Sequence, residues 1–132
     1  MAVVNQALDE VLAADVIVIG APMYNFSIPS QLKSWLDALV VPGKTFRYGA
    51  NGAEGLLGDK RMIIASSRGN FYGADSPAAS AEHHESYLLS FLGFLGVTRI
   101  EIVRAEGVKL SPEHAQTAVA AALEHASQLK AA

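Results

Sequence analysis

The sequence predicts an α/β fold, a parallel sheet with helices on both faces, on three observations. Stretches of helical and strand-like periodicity alternate along the 132 residues, which is the pattern of βαβ units. Two strand-like stretches, 15–19 and 61–66, are largely apolar on both faces, as central parallel strands covered by helices on each side are. Both run straight into loops rich in aromatic and polar residues, and open α/β sheets place ligands beyond the carboxyl ends of their strands.

Each element has its own local signal. Val3, Val4, Ala7, Leu8, Val11 and Leu12 recur at helical spacing and predict an amphipathic helix over 3–13. Asp15 introduces four consecutive β-branched residues, the first strand. Leu32, Trp35, Leu36, Leu39 and Val40 form the inner stripe of a second helix that begins near Pro29, a residue suited to a first helical turn. Residues 41–60 are a long connection rich in glycine, with Lys44-Thr45-Phe46-Arg47-Tyr48 inside it; connections beyond about 12–15 residues are usually functional or disordered, and the aromatics here favour an ordered lid. Its Gly43-Lys44-Thr45 triplet is no phosphate-binding loop, because Ala38 stands where the required upstream glycine belongs and a helix, not a strand, precedes it.

Arg61 to Ser66 reads as the next buried strand. His84, Tyr87, Leu88, Phe91, Leu92 and Leu95 follow helical spacing up to Gly96, a C-terminal stop. The third strand, about 98–103, alternates charged and apolar residues at Arg99-Ile100-Glu101-Ile102, as an edge strand should. Ser111-Pro112-Glu113 is a helix start with cap, first-turn proline and acidic residue. Ala115, Val119, Ala122, Leu123 and Ala126 are expected to line the buried side of that last helix. No repeat or linker divides residues 1–132, so one domain is expected.

Composition narrows the chemistry. A net charge of −3 gives no electrostatic footprint for nucleic acid or anionic membranes. With no cysteine, disulfides, thiolate metal sites and cysteine nucleophiles are excluded. No apolar run reaches the length of a membrane span, and no basic region followed by an apolar core marks a signal peptide, so a cytoplasmic domain is the expectation. Glu82, His83, His84 and Glu85 match no zinc spacing; they read as a solvated helix start, and His114 and His125 as surface residues.

The loop Ala21-Pro22-Met23-Tyr24-Asn25-Phe26-Ser27-Ile28-Pro29 carries the most specific chemistry. Pro22 and Pro29 stiffen it and push Ala21 and Ile28 toward extended backbone. It offers flat aromatic surface and free backbone N–H groups, which suit a planar heteroaromatic ligand. The plainer reading is a strand-to-helix connection whose aromatics cap a core. Continued through Ser30-Gln31-Leu32-Lys33, the motif resembles the flavin loop of the FMN-dependent NADH:azoreductases, also called NADH:quinone oxidoreductases, which are flavodoxin-like. The resemblance runs from about Asp15 to Gly107 and more loosely to the C-terminus. It implies FMN as cofactor, NADH or NADPH as electron donor, quinones or azo compounds as substrates reduced by ping-pong two-electron transfer, and a homodimer.

By the same resemblance, Pro22, Met23, Tyr24, Asn25 and Phe26 line the flavin ring. Ser67, Arg68, Gly69 and Asn70 match a second flavin loop that usually reads Ser-Arg-Gly-Gly; Asn70 replaces the last glycine, and asparagine tolerates left-handed backbone better than other non-glycine residues. Tyr48 and Phe94 match the aromatic substrate pocket, with core packing the competing role for Phe94. Family members begin with a strand, a serine-rich phosphate loop, a helix and a further strand that have no counterpart here. The resemblance therefore implies an N-terminally truncated member whose strand 15–19 is left as a bare, apolar edge. Two outcomes stay open: an oxidoreductase, or a non-catalytic flavodoxin-like fragment that binds FMN weakly or not at all and is stabilised by oligomerisation.

Overall fold

The computed structural model describes residues 2–130. Three parallel strands form its sheet in the order β1 (Val16–Pro22), β4 (Arg61–Ser67), β5 (Arg99–Ala105). Val16 stands opposite Arg61 and Arg61 opposite Arg99, so all three strands run in phase and end together. Helices α1 (Ala2–Ala13), α2 (Ser30–Ala38) and α3 (Glu85–Phe94) and the last helix α4 (Pro112–Ser127) fall where helical spacing predicts them. Ser111 Oγ accepts from the His114 N–H at 3.1 Å, with Pro112 and Glu113 in the first turn of α4.

The core lies on one face of the sheet. Ile19, Ala21, Met62 and Ile64 pack there against Val11, Leu36, Leu39, Leu88, Leu92 and Leu95 of the first three helices. Complete burial of one such leucine contributes about 1.5–3 kcal/mol, so this interface dominates the stability. The opposite face is thinly covered. Val119, Ala122, Leu123 and Ala126 do turn toward Val103 and Ala105, but across a groove of about 380 Å³. No α4 residue is buried, and Val119 and Leu123 are 47% and 66% exposed. The expected buried side of the last helix is therefore corrected to a half-open one: α4 packs chiefly against β5, with the groove between them bordered by Ala65–Ser67 of β4. The expectation of a central strand covered on both faces is corrected for β1, which lies at the edge of the sheet with Val18 66% exposed, the bare edge that the family resemblance implies.

The glycine-rich connection folds as an antiparallel hairpin, β2 (Phe46–Gly49) with β3 (Gly52–Gly55). It docks on the far end of α3 rather than over a site. Leu57 N–H donates to the Leu95 carbonyl at 2.8 Å, and a Cβ on Gly55 would fall 2.1 Å from the Gly96 nitrogen. Only glycine permits backbones that close. Thr45 of the rejected phosphate triplet is fully buried and donates to the Leu39 carbonyl, closing the end of α2.

Candidate functional site

Because β1 and β4 end in phase, their following loops lie side by side. Met23 N–H donates to the Ser67 carbonyl at 2.8 Å, carrying the ladder one step past the strands. The chain then reverses in a two-residue turn: Tyr24 and Ser27 exchange backbone hydrogen bonds of 2.8 and 3.0 Å across Asn25 and Phe26. Both central residues have positive φ, 47° and 74°. Turns of this kind favour Asn and Gly, so Asn25 suits its position and Phe26 is strained there. The prolines stiffen the approaches, whereas the strain sits between them. Tyr24 and Phe26 are 58% and 49% exposed, and the Phe26 ring meets Tyr72 edge-on at 6.2 Å. Such exposure runs against the core-capping reading of this loop. Met23 is half-buried beside it.

The second loop rests on the 106–110 segment. Lys109 N–H donates to the Gly69 carbonyl and Gly107 N–H to that of Asn70. Gly107 has φ 74°, and a Cβ there would lie 2.8 Å from the Phe71 ring. Asn70 is outside the left-handed region that its sequence suggests. Its Oδ1 instead accepts from the N–H of the next residue, Phe71, at 2.8 Å, a local side-chain-to-backbone contact that needs no positive φ. The exposed ring of Phe71, next to Tyr72, is a further aromatic of this ledge; the Phe-Tyr pair directly after the loop is its sequence signal.

Arg68 contributes its backbone to the ledge but not its charge. The guanidinium is 4% exposed and turned inward, 2.9 Å from Glu82 and 3.3 Å from Glu85. Glu85 also accepts from Ser66 Oγ at 2.6 Å and pairs with Arg104. Burial alone would raise the Glu85 carboxyl, but the Arg104 and Ser66 hydrogen bonds and the Arg68 charge hold it below the ordinary carboxylate range. Glu82 caps α3, accepting from the N–H groups of His84 and Glu85 at 2.8 and 2.6 Å. Burial opposes its ionisation too, and the hydrogen bonds from Ser86, His84 and Glu85 outweigh it, lowering the pKa. His84 is fully buried, with Nε2 2.7 Å from the Ala21 carbonyl.

The solvated helix start expected at Glu82–Glu85 is thus corrected. Only His83 of the four is exposed, because the segment sits beneath the carboxyl ends of three strands. Nothing local in the sequence distinguishes such a placement from a surface one.

Tyr48 and Phe94 come together through Phe46, whose ring lies 5.3 and 5.2 Å from theirs. They are 76% and 43% exposed, so neither is core. This aromatic group sits at the end of α3 opposite the ledge. The helix's ten residues, Glu85–Phe94, span about 15 Å, and among the described residues no aromatic contact bridges the distance.

The donor set fits a flavin ring. Exposed aromatic faces at Tyr24 and Phe26 flank the Asn25 amide, and among the described residues the N–H groups of Asn25, Phe26, Gly69 and Asn70 have no protein acceptor.

Comparison with known proteins identifies the fold. A family model described as a flavodoxin-like fold matches residues 1–129. The chain is 58% identical over 125 residues to the FMN-dependent NADH:quinone oxidoreductase 2 of Bradyrhizobium diazoefficiens, which covers 95% of this chain and 62% of the relative. It is 59% identical over 128 residues to the FMN-dependent NADH:quinone oxidoreductase of Methylorubrum populi, covering 97% and 63%. Among solved structures, azoreductase AzrA superposes with a TM-score of 0.90 at 39% identity, over 96% of this chain and 61% of that one. An FMN-dependent NADH-azoreductase of Bacillus anthracis in complex with FMN gives 0.83 at 32% identity over the same shares. The chain therefore spans about 62% of the length of the curated relatives it matches. Its strand order, its helices on both faces and the family match over residues 1–129 place this chain in the flavodoxin-like fold family.

Proposed function

We propose that this chain supplies the flavin-ring site of an FMN-dependent NAD(P)H oxidoreductase acting on quinones and azo compounds. The observation that carries the reading is the strained, outward-facing turn Tyr24–Ser27, hydrogen-bonded alongside Ser67–Asn70. Strain of that kind persists where the surroundings over-determine it, and it clusters at ligand sites. The names of the relatives, FMN-dependent NADH:quinone oxidoreductase and azoreductase, support the same chemistry.

Bound FMN supplies two-electron transfer from NADH or NADPH to the acceptor in two half-reactions, which is a ping-pong scheme. The chain's own residues orient the ring. Tyr24, Phe26 and Met23 give it apolar support and keep water from one side. The Asn25 amide and the free N–H groups of Asn25 and Phe26 donate toward its polar edge, where negative charge develops on reduction. Pro22 fixes the strand exit. Ser67, Gly69 and Asn70 donate from the second loop, and Arg68 anchors that loop from beneath.

Tyr48 and Phe94 serve as the aromatic wall for substrate. Their place at the far end of α3 means that a second copy must bring them to the ring, so the reading includes a homodimer. The test is NADH oxidation by the purified, FMN-supplemented chain with a benzoquinone and with an azo dye. FMN-dependent turnover supports the reading. Saturable FMN binding without turnover favours the alternative, a non-catalytic flavodoxin-like fragment.

A further inference from the structure

The start of α3 touches both loops at once, through groups that have no part in the chemistry above. His83 N–H donates to the Phe26 carbonyl at 2.9 Å, holding the residue with the more positive φ. His84 Nε2 lies 2.7 Å from the Ala21 carbonyl, at the exit of β1. A carbonyl only accepts, so Nε2 carries the proton. Nδ1 is then the bare nitrogen, and it faces the Arg68 Nε–H at 3.4 Å. Arg68 leads in turn to the Glu82 carboxylate at 2.9 Å, and its own carbonyl accepts from Val108 N–H beneath the second loop. Neutral His84 satisfies both of its neighbours. An imidazolium would turn an N–H toward a guanidinium, donor against donor and cation against cation.

We propose that Glu82–Glu85 is a latch that sets the relative position of the Met23–Ser27 turn and the Ser67–Asn70 loop, with His84 as its positioning residue, closed when neutral and released when protonated. The functional part of this inference rests on the flavin-ring reading; the mechanical part does not. The charged groups facing His84 are Arg68 from the loop after β4 and Glu82 and Glu85 from its own segment, while β1 presents only a backbone carbonyl. Arg104 of β5 stands behind Glu85. Burial lowers the His84 pKa most; the Ala21 hydrogen bond pulls it back, Arg68 lowers it again, and the two carboxylates raise it, for a net shift below the ordinary histidine value. The latch is accordingly closed at neutral pH, and release lies on the acid side of about 6.5.

Backbone amide resonances of the parent and of H84Q, followed from about pH 8 to about pH 5, test the latch. Glutamine keeps a donor for Ala21 and an acceptor for Arg68 but does not titrate. In the parent, amides of Met23–Ser27 and of Ser67–Asn70 are expected to shift together as the pH falls below about 6.5, and in H84Q that shared titration disappears. Loops that titrate alike in both proteins, or that titrate in neither, overturn the latch. Fluorescence-quenching titration with FMN at neutral pH reads the functional part: H84A is expected to bind about tenfold more weakly than the parent, and H84Q within about threefold. Equal affinity in H84A and parent overturns the positioning role. A parent that binds no FMN overturns the flavin-ring reading instead, and the amide titration still decides the latch; should H84A not fold, FMN affinity is compared between parent and H84Q on acidification, where a loss in the parent alone supports the positioning role and an equal loss in both overturns it.

Discussion

Asn25 and Phe26 concentrate the chemistry of the site in two residues at positive φ. That geometry separates two substitutions that otherwise look alike. Asn25→Gly removes the amide and relieves the left-handed backbone, whereas Asn25→Ala removes the amide and adds strain. Both are expected to slow flavin reduction in stopped-flow absorbance by about tenfold to a hundredfold, for one lost donor of about 1.5–3 kcal/mol to a charge-bearing atom. Only Asn25→Ala is expected to lower Tm. An N25G variant that reduces flavin at the parent rate would remove the side chain from the mechanism. That these residues sit in an exposed loop beyond the first strand was legible in the sequence, because prolines flank it and a strand precedes it. Their dihedrals were not: asparagine signals left-handed backbone at Asn25 and at Asn70 alike, yet only the first adopts it, and no propensity predicts a phenylalanine there. The inward turn of Arg68 was equally hidden, since its partners Glu82 and Glu85 arrive from a different element.

At the scale of elements, alternation and helical spacing located every strand of the sheet and all four helices to within a few residues. The hairpin of Phe46–Gly49 with Gly52–Gly55 escaped, because its strands are short and end in glycines that read as loop. What orders it is the long-range docking on α3, invisible to local pattern. Gly55→Ala tests that docking. With backbone 2.1 Å from the new Cβ, overpacking is expected to cost about 1–3 kcal/mol, read as a lower urea midpoint; an unchanged midpoint would mean that the hairpin is free to lift. The Glu82 cap belongs to the same scale. Removing the carboxylate in Glu82→Ala strips the first turn of α3 of its acceptor, for an expected loss of about 0.5–2 kcal/mol. Thermal unfolding by circular dichroism measures it.

For the molecule as a whole, two buried groups and the half-buried Glu82 make stability depend on pH with one sign. Glu82 and Glu85 have lowered native pKa values, so their contribution is complete above the ordinary carboxylate value of about 4.3 and is lost as pH falls through the native ones. His84 is also lowered: the unfolded chain takes its proton near pH 6.5 while the folded chain resists, so stability again falls with acid. Urea midpoints should be level above about pH 7 and fall steadily below about 6.5; a midpoint that rises on acidification contradicts this assignment. The bare edge is the other global feature. Residues 16–22 carry no charge, pair on one side only, and expose Val16 and Val18, which is a template for association. Light scattering is expected to show concentration-dependent assembly that Val18→Lys reduces.

The claim that the Met23–Phe26 turn and the Ser67–Asn70 loop hold a flavin ring is tested most directly by fluorescence-quenching titration with FMN and with riboflavin side by side. These loops address the ring, and the Arg68 guanidinium is turned inward to two carboxylates rather than toward a phosphate. Saturable quenching by both flavins is therefore expected, with dissociation constants within about tenfold of each other and both weakened in N25G. No saturable quenching by either flavin would contradict the site.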